Sequence, residues 1–176
     1  MHSTYLILFA ALMSAAACTR REAKTDSTAV PPAPVVSMAG YDLIRIGETA
    51  HDLAITGDSA AASNPKHAAC RFAHPKSFPL GAKVMLLEDV VVRIDIDSAG
   101  IRTAEGAQVG DPESRVLELY RGQIVSLPHK YVQGGHNLVV REPNLANRIV
   151  FETDGRKVLR YRVGRPPGVD FVEGCG

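Results

Sequence analysis

Short runs in which apolar and polar residues alternate fill the second half of the chain, and such runs are typical of β-strands with one buried face. Residues 157–163 (KVLRYRV) show this alternation and predict a half-exposed strand with a charged outer face. The Asp154-Gly155 pair just before this run predicts a two-residue hairpin turn. The pattern predicts four strands in this half, over residues 124–132, 136–142, 148–153 and 156–164.

The first half of the chain shows a similar but less regular pattern. Apolar runs at 68–73, 83–88 and 90–97 predict three more strands, with a break at Glu88-Asp89. Before each set of strands, a glycine and an acidic residue precede a predicted helix start, in IRIGETAHDL at 44–53 and AQVGDPESRV at 107–116. The likeness of these two segments predicts an internal repeat.

The two glycine-containing segments predict two short helices. In the second, Asp111 is a natural N-cap and Pro112 occupies the first helical position, where its missing N–H has no cost. The apolar face of this helix, and the glycine that can close it in a left-handed conformation, are Val116, Leu119, Tyr120 and Gly122. In the first segment Thr49 caps with Asp52, and the weaker apolar face is Ala50, Leu53 and Ala54.

Together these elements predict an α+β fold for residues 41–176, a length sufficient for one hydrophobic core. The fold consists of two tandem units, about 41–101 and 102–176. Each unit contains a short helix and antiparallel strands. We expect the two units to form one curved sheet with the helices packed on one side.

The helix starts at 46–49 (IGET) and 109–112 (VGDP), with the hairpin at 151–158 (FETDGRKV), form recognisable motifs. They resemble the β-lactamase-inhibitor-protein-like architecture of small bacterial envelope proteins, which include the SmpA/OmlA-type outer-membrane lipoproteins. The segments at 102–106, 110–111, 128–131, 151–154 and 172–175 are similar to a family of uncharacterised lipoproteins, some of them labelled lectin-like. The resemblance covers about residues 41–176 and implies a fold more than an activity. The first unit departs from this pattern, because the expected glycine does not follow the turn at Glu88-Asp89.

The N-terminal apolar run at 5–17 has the length of a signal-peptide hydrophobic region and is too short for a stable transmembrane helix. Residues 15–18 (AAAC) resemble the lipobox of bacterial lipoproteins, in which the signal is cut before a cysteine that carries the lipid. The resemblance implies a signal peptide over 1–17 and lipidation of Cys18. With Thr19 rather than Asp in the next position, it implies an outer-membrane lipoprotein facing the periplasm. Residues 1–4 contain no Lys or Arg, so a plain secretory signal cut nearby is the alternative.

Between Cys18 and the domain, residues 19–40 are rich in Pro, Ala, Thr and charge and show no strand or helix periodicity. This composition predicts a disordered tether. In the whole chain, 20 Lys+Arg against 19 Asp+Glu leave no positive excess, so a nucleic-acid partner is not expected. With no Trp and 6% aromatic residues, the composition also disfavours aromatic platforms.

Cys70 and Cys175 remain as a pair if Cys18 is lipidated. In an oxidising compartment such a pair predicts a disulfide, here joining the end of the second unit to the first strand of the first. A reactive thiol pair is the alternative, but the cysteines lack Cys-X-X-Cys spacing.

Candidates for zinc binding are His129 and His136, on either side of the break at 133–135. With Glu142 or Asp170 they would supply ligands if they lay on facing strands, and two half-exposed strand histidines are the alternative. No His-x-x-x-His spacing supports a site, so no metal and no cofactor are expected.

Candidates for catalysis are also poorly spaced. Ser126 and His129 with Asp154 or Asp170 contain the residue types of a hydrolase triad, but no Gly-x-Ser-x-Gly elbow accompanies them. Asp95 and Asp97 are two residues apart and share one face of a strand, with a separation of about 7 Å. Paired acids of this kind occur in glycosidases, but they also occur on solvent-facing strands, where they increase solubility.

A basic cluster near the C-terminus consists of Arg156, Lys157, Arg160, Arg162 and Arg165, and it predicts either a docking surface or a solvated outer face. We expect a non-catalytic, lipid-anchored envelope protein that binds another envelope protein or a polysaccharide through its sheet. A carbohydrate-binding module is the second hypothesis and a hydrolase the third. The residues expected to bind the partner are Tyr131, His136, Arg160 and Arg162.

Overall fold

The computed structural model describes residues 33–53, 69–143 and 145–175. The predicted signal peptide, Cys18 and most of the predicted tether lie outside these residues. The described residues form a small sheet of β1 (Val36–Ser37), β2 (Gly40–Tyr41) and β3 (Ile44–Arg45). They also form a large seven-stranded sheet and one α-helix, α1 (Glu113–Leu119).

The large sheet contains all seven strands that the alternation predicts. In chain order they are β4 (Cys70–Ala73), β5 (Ala82–Leu87), β6 (Val90–Ile96), β7 (Ile124–Pro128), β8 (His136–Arg141), β9 (Arg148–Thr153) and β10 (Val158–Gly164). Their spatial order is β4-β5-β6-β10-β9-β8-β7, and every neighbouring pair is antiparallel. Two meanders therefore meet where β6 pairs with β10, with Tyr161 opposite Ile96 and Val163 opposite Ile94.

The prediction of an α+β fold with a helix in each unit is wrong, because the protein is mostly β. The only α-helix in the part of the chain that the structure describes is α1. At the predicted first helix, Thr49 instead forms a bridge with Val90, and the Ala50 N–H donates to the Asp89 carbonyl at 2.7 Å. The Leu53 N–H donates to the Thr49 carbonyl at 3.3 Å, which is one helix-type bond, and residues 49–53 form a turn. Ala54 of the predicted apolar face lies outside the described residues.

The helix α1 is at the predicted place, and it packs Val116 and Tyr120 into the core. Its cap differs from the prediction. The Asp111 carboxylate accepts the Gln108 N–H at 3.0 Å, so it stabilises the turn before the helix, and no side chain caps the helix itself. Gly122 has the predicted left-handed conformation, with φ of 81°.

The two glycine-containing segments make the same backbone hydrogen bonds to their hairpins. The Gly47 N–H donates to the Val91 carbonyl at 2.7 Å, and the Gly110 N–H donates to the Val158 carbonyl at 2.9 Å. In return, Val91 donates to the carbonyl of Glu48, and Val158 donates to that of Asp111. The likeness of the segments in sequence therefore extends to how each is held against a strand.

The boundary of the predicted tether is too far along the chain. Val36 is fully buried and Met38 is nearly so, although both lie within the predicted disordered stretch up to residue 40. The Val36 N–H donates to the Arg102 carbonyl at 2.8 Å, and Asn147 donates its side-chain amide to the Met38 carbonyl at 2.7 Å. The sequence did not predict this small sheet, because its strands are only two residues long and produce no periodicity.

The large sheet has two differently covered faces. One face, here called the core face, packs against the small sheet and α1, and its side chains include Val84, Ile94, Leu138, Phe151 and Tyr161. The opposite face, here called the tail face, is covered by the C-terminal segment 165–175, which includes a 3-10 turn at Gly168–Asp170. Val169 of this turn packs on Val139 and Val150.

The C-terminal segment is fixed by the predicted disulfide. Cys70 on β4 and Cys175 are bonded, with their Cα atoms 5.5 Å apart, and both residues are buried. Around the bond pack Met85, Val92, Phe72 and Phe171. No helix in the described residues is long and apolar enough to cross a membrane.

Candidate binding cleft on the tail face

Strand alternation places five charged side chains together on the tail face. Arg93 and Asp95 project from β6, Glu152 from β9, and Arg160 and Arg162 from β10. The register pairs Arg162 with Asp95 and Arg160 with Glu152, so these residues lie on adjacent central strands. The middle of the sheet therefore carries a charged cluster rather than an apolar core.

Glu152 is the centre of this cluster. Its carboxylate accepts from Arg160 Nε at 2.7 Å, from His129 Nε2 at 3.1 Å and from Arg162 Nη1. Burial alone would raise the pKa of the Glu152 carboxyl, but the hydrogen bond from Arg160 and the charges of Arg162 and Arg160 outweigh it and hold that pKa below its ordinary value. Glu152 is therefore an anion at neutral pH, and it forms ion pairs with two arginines.

The two buried arginines connect the sheet to the C-terminal segment. Arg93 pairs with Asp95 and donates from Nη1 to the Phe171 carbonyl at 2.6 Å. Arg162 donates from Nε to the Val169 carbonyl at 2.7 Å. Burial, together with the neighbouring Arg93 charge, lowers the pKa of the Arg162 guanidinium. Charge-assisted bonds to carbonyls are among the stronger hydrogen bonds, so the segment is tightly held.

His129 positions the loop after β7. Its side chain is only 3% exposed, and its Nδ1 accepts the backbone N–H groups of Tyr131 at 3.0 Å and Val132 at 3.2 Å. Because Nδ1 accepts, the proton of the neutral ring lies on Nε2 and is donated to Glu152. His129 thus links the charged cluster to the backbone that carries Tyr131.

Tyr131 forms one rim of a cleft. Its side chain is exposed, its hydroxyl donates to Glu173 of the C-terminal segment, and Lys130 lies over its ring at 4.8 Å from the centroid. Lys130 also pairs with Glu173 at 3.0 Å. Hydrogen bonds from Tyr131 and Lys130 lower the pKa of the Glu173 carboxyl, and those with Tyr131 and Glu173 raise the pKa of the Lys130 ammonium.

The cleft has a volume of about 480 Å³ and lies between β5, β6, β10, the Tyr131 loop and the C-terminal segment. Its basic groups are Lys83, Arg93 and Arg160, and they face a nearly equal number of acidic groups. The lining residues are Phe72, Lys83, Arg93, Asp95, Ile96, Asp97, Tyr131, Glu152, Arg160, Val172, Glu173 and Gly174. Such a volume accommodates a small ligand or a short segment of a polymer.

The structure separates the four predicted binding residues. Tyr131 and Arg160 both line the cleft. Arg162 does not fit the prediction of an exposed binding residue, because its side chain is 6% exposed and bonded to Glu152 and Val169. His136 bonds through Nδ1 to Glu113 of α1 at 3.0 Å, which places it away from the cleft.

The two candidate histidines do not come together among the described residues, whereas both acids of the Asp95–Asp97 pair line the cleft. His129 contacts Glu152 and His136 contacts Glu113, and no group of three potential metal ligands occurs in that part of the chain. The His129 ring bonds to Glu152 and to the loop backbone rather than to Ser126. Asp95 is held by Arg93, and Asp97 lies at the cleft surface.

Sequence reasoning missed the most connected residue of the cleft, Glu152. Glu152 is the one acid of β9 and follows the apolar run Ile149–Phe151, and that isolation was the available signal. Glu173 and Phe72 were missed as well, because Glu173 reaches the cleft through the fold of the C-terminal segment and Phe72 lies on β4, distant in sequence from the other lining residues.

No protein-family profile, no curated protein sequence and no solved structure shows significant similarity to this chain.

Proposed function

We propose that this protein is a non-catalytic, lipid-anchored protein of the bacterial envelope that binds a partner in the cleft on the tail face. The observation that carries the proposal is the cleft of about 480 Å³, in which the charged side chains of Arg93, Asp95 and Glu152 are held by ion pairs. Its floor is held by the bonds of Glu152, and its rim by the disulfide-bonded C-terminal segment. A prearranged site loses little conformational entropy on binding, so it favours recognition.

The charges of the cleft indicate the kind of partner. The cleft contains three basic and four acidic residues, so a polyanion or a polycation would meet repulsive as well as attractive groups. A polar, overall neutral segment, with donors and acceptors of both kinds, fits better. We therefore favour a polar stretch of another envelope protein or polymer.

A carbohydrate is the less favoured ligand. Sugar rings commonly dock on free aromatic faces, but the two aromatic rings of the cleft are already in contact with other groups. Lys83 lies 4.6 Å from the centroid of Phe72, whose other contacts include Gly174, and Lys130 lies over Tyr131. This arrangement disfavours stacking without excluding hydrogen bonds to sugar hydroxyls.

Anchoring is tested by replacing Cys18 with Ala. We expect loss of acyl-chain labelling and release of the protein into the soluble periplasmic fraction. Unchanged labelling and membrane association would refute the proposed anchor.

Partner binding is tested by affinity recovery from solubilised envelopes, followed by mass spectrometry. The Tyr131→Ala/Arg160→Ala variant should lose the recovered partner, because both side chains line the cleft. His136→Ala is the matched control, since this residue is also partly exposed but bonds to α1. Equal recovery with both variants, at unchanged thermal stability, would refute the cleft as the binding site.

A further inference from the structure

The strand β7 ends the large sheet, and within the described residues its outer edge is open. It pairs on one side with β8, from Ile124 opposite Val140 to Pro128 opposite His136. No strand lies beyond it in the described residues. Its side chains Val125 and Leu127 are 44% and 45% exposed, which is high for aliphatic residues in a sheet.

The hydrogen bonds at both ends of β7 show which backbone groups face the open edge. The Gln123 carbonyl accepts the Arg141 N–H at 3.0 Å, and the His129 N–H donates to the Gly135 carbonyl at 2.9 Å. In an antiparallel pair, alternate residues direct their backbone groups to the same neighbour. Residues 123, 125, 127 and 129 therefore face β8, and the N–H and C=O of Ile124 and Ser126 point outward, with the C=O of Pro128.

This edge lacks the charged side chains that usually protect an edge strand. All five residues of β7 (IVSLP) are uncharged, although 22% of the chain is charged. The strand at the opposite edge, β4, is shorter and contains Arg71, which pairs with Asp89. An open, uncharged edge flanked by exposed aliphatic side chains has the properties of a surface for pairing with another strand.

We propose that β7 pairs antiparallel with β7 of a second copy of this chain, with Ser126 on the two-fold axis. In this register each Ser126 N–H donates to the other Ser126 carbonyl, and each Ile124 N–H donates to a Pro128 carbonyl. Val125 of one copy lies beside Leu127 of the other. Pro128 has no N–H to donate, but in this register its carbonyl accepts the Ile124 N–H of the other copy.

A second copy fits this edge because the strand is complementary to itself. Uncharged residues meet uncharged residues, exposed aliphatic side chains cover each other, and outward donors meet outward acceptors. The formal net charge of +1 means that two copies repel each other only weakly. A single-strand interface is small, so we expect a weak dimer that is populated at high protein concentration.

The first test uses cysteine cross-linking in the full chain carrying Cys18→Ser. In a hydrogen-bonded antiparallel pair the Cα atoms are about 5.5 Å apart, which suits a disulfide. Ser126→Cys should therefore form a covalent dimer on mild oxidation. Leu127→Cys is the matched control, because two residues at 127 would be separated by about 8 Å in this register. We expect cross-linking about ten-fold faster for Ser126→Cys, since disulfides need Cα atoms within about 7 Å.

The second test measures the mass of the uncross-linked protein by sedimentation velocity over a range of concentrations. We expect a shift toward the dimer that is lost in Ser126→Pro. This substitution removes an outward N–H and leaves the bonds to β8 intact, and circular dichroism checks the fold. If Ser126→Pro fails to fold, the cysteine pair alone decides.

A monomer at every concentration, with equal cross-linking of the two cysteine variants, would overturn the proposal. Capture of a different protein at β7 by a chain that stays monomeric would also overturn it. In neither case would the binding cleft be affected, because β7 does not line it.

Discussion

Replacing Glu152 with Gln tests whether the charged cluster stabilises the fold. Glu152 accepts from Arg160, Arg162 and His129, and its side chain is 3% exposed. Removing the carboxylate charge leaves the buried Arg162 guanidinium without its anionic partner. Breaking a buried ion pair in this way costs about 3–5 kcal/mol, and we expect the lower end because the amide still accepts one hydrogen bond.

The assay is urea unfolding at pH 7, followed by far-ultraviolet circular dichroism under non-reducing conditions. Glu173→Gln is the matched control, because it makes the same chemical change in the same cleft at a side chain that is 59% exposed. We expect this control to leave the free energy of unfolding almost unchanged, since exposed ion pairs are screened by water.

A double-mutant cycle with Arg162→Met then isolates the pair. Removing both partners should cost less than the sum of the single changes, with a coupling of about 1–3 kcal/mol. If Glu152→Gln is as mild as Glu173→Gln, or if the two single costs simply add, the cluster does not stabilise the fold as argued.

Three further predictions concern the same face of the sheet. Cys175→Ser should lower the free energy of unfolding by about 2–5 kcal/mol, because the bond to Cys70 closes a loop with a sequence separation of 105. Reduction of the disulfide in the wild type should lower the free energy of unfolding by the same amount. Because the pKa of the Glu152 carboxyl is lowered by folding, the ionised carboxylate stabilises the protein fully above pH 4.5, its ordinary pKa, and this stabilisation is lost as the pH falls below that value. In urea unfolding measured from pH 7 to pH 3, the free energy of unfolding should therefore decline more steeply for the wild type than for Glu152→Gln. Gly164→Ala should destabilise the protein by about 1–3 kcal/mol, since the added methyl would lie 2.4 Å from the Val92 carbonyl oxygen; an unchanged melting temperature would contradict this.

The strands could be predicted because each carries a local signal. The run at 157–163 alternates, and β10 lies within the predicted limits. The hairpin turn was found at Asp154-Gly155, but Thr153 pairs with Val158, so the loop is longer than predicted. The Asp154 carboxylate accepts the N–H groups of Arg156 and Lys157, which stabilises the longer loop.

The predicted first helix shows where local signals fail. Thr49 does interact with Asp52 as expected, with its hydroxyl accepting the Asp52 N–H at 3.2 Å. Tertiary pairing of Thr49 with Val90 nevertheless holds these residues in a turn. A capping interaction with a weak apolar face is not enough to form a helix, because the first turn fixes several backbone dihedral angles for only one hydrogen bond.

The sequence by itself determined the seven large-sheet strands, the helix α1 and the Cys70–Cys175 pair, because apolar runs, period-two alternation and cysteine count are properties of the chain. Only the tertiary structure decided which face is solvated. Alternation shows that Arg160 and Arg162 share a face, but the cover of that face comes from the distant C-terminal segment. Arg93 bonds to a carbonyl 78 residues away, and such contacts leave no periodic trace in the sequence. The face predicted to be solvated is therefore largely buried, and only Arg160 and Tyr131 of the predicted binding residues reach the cleft.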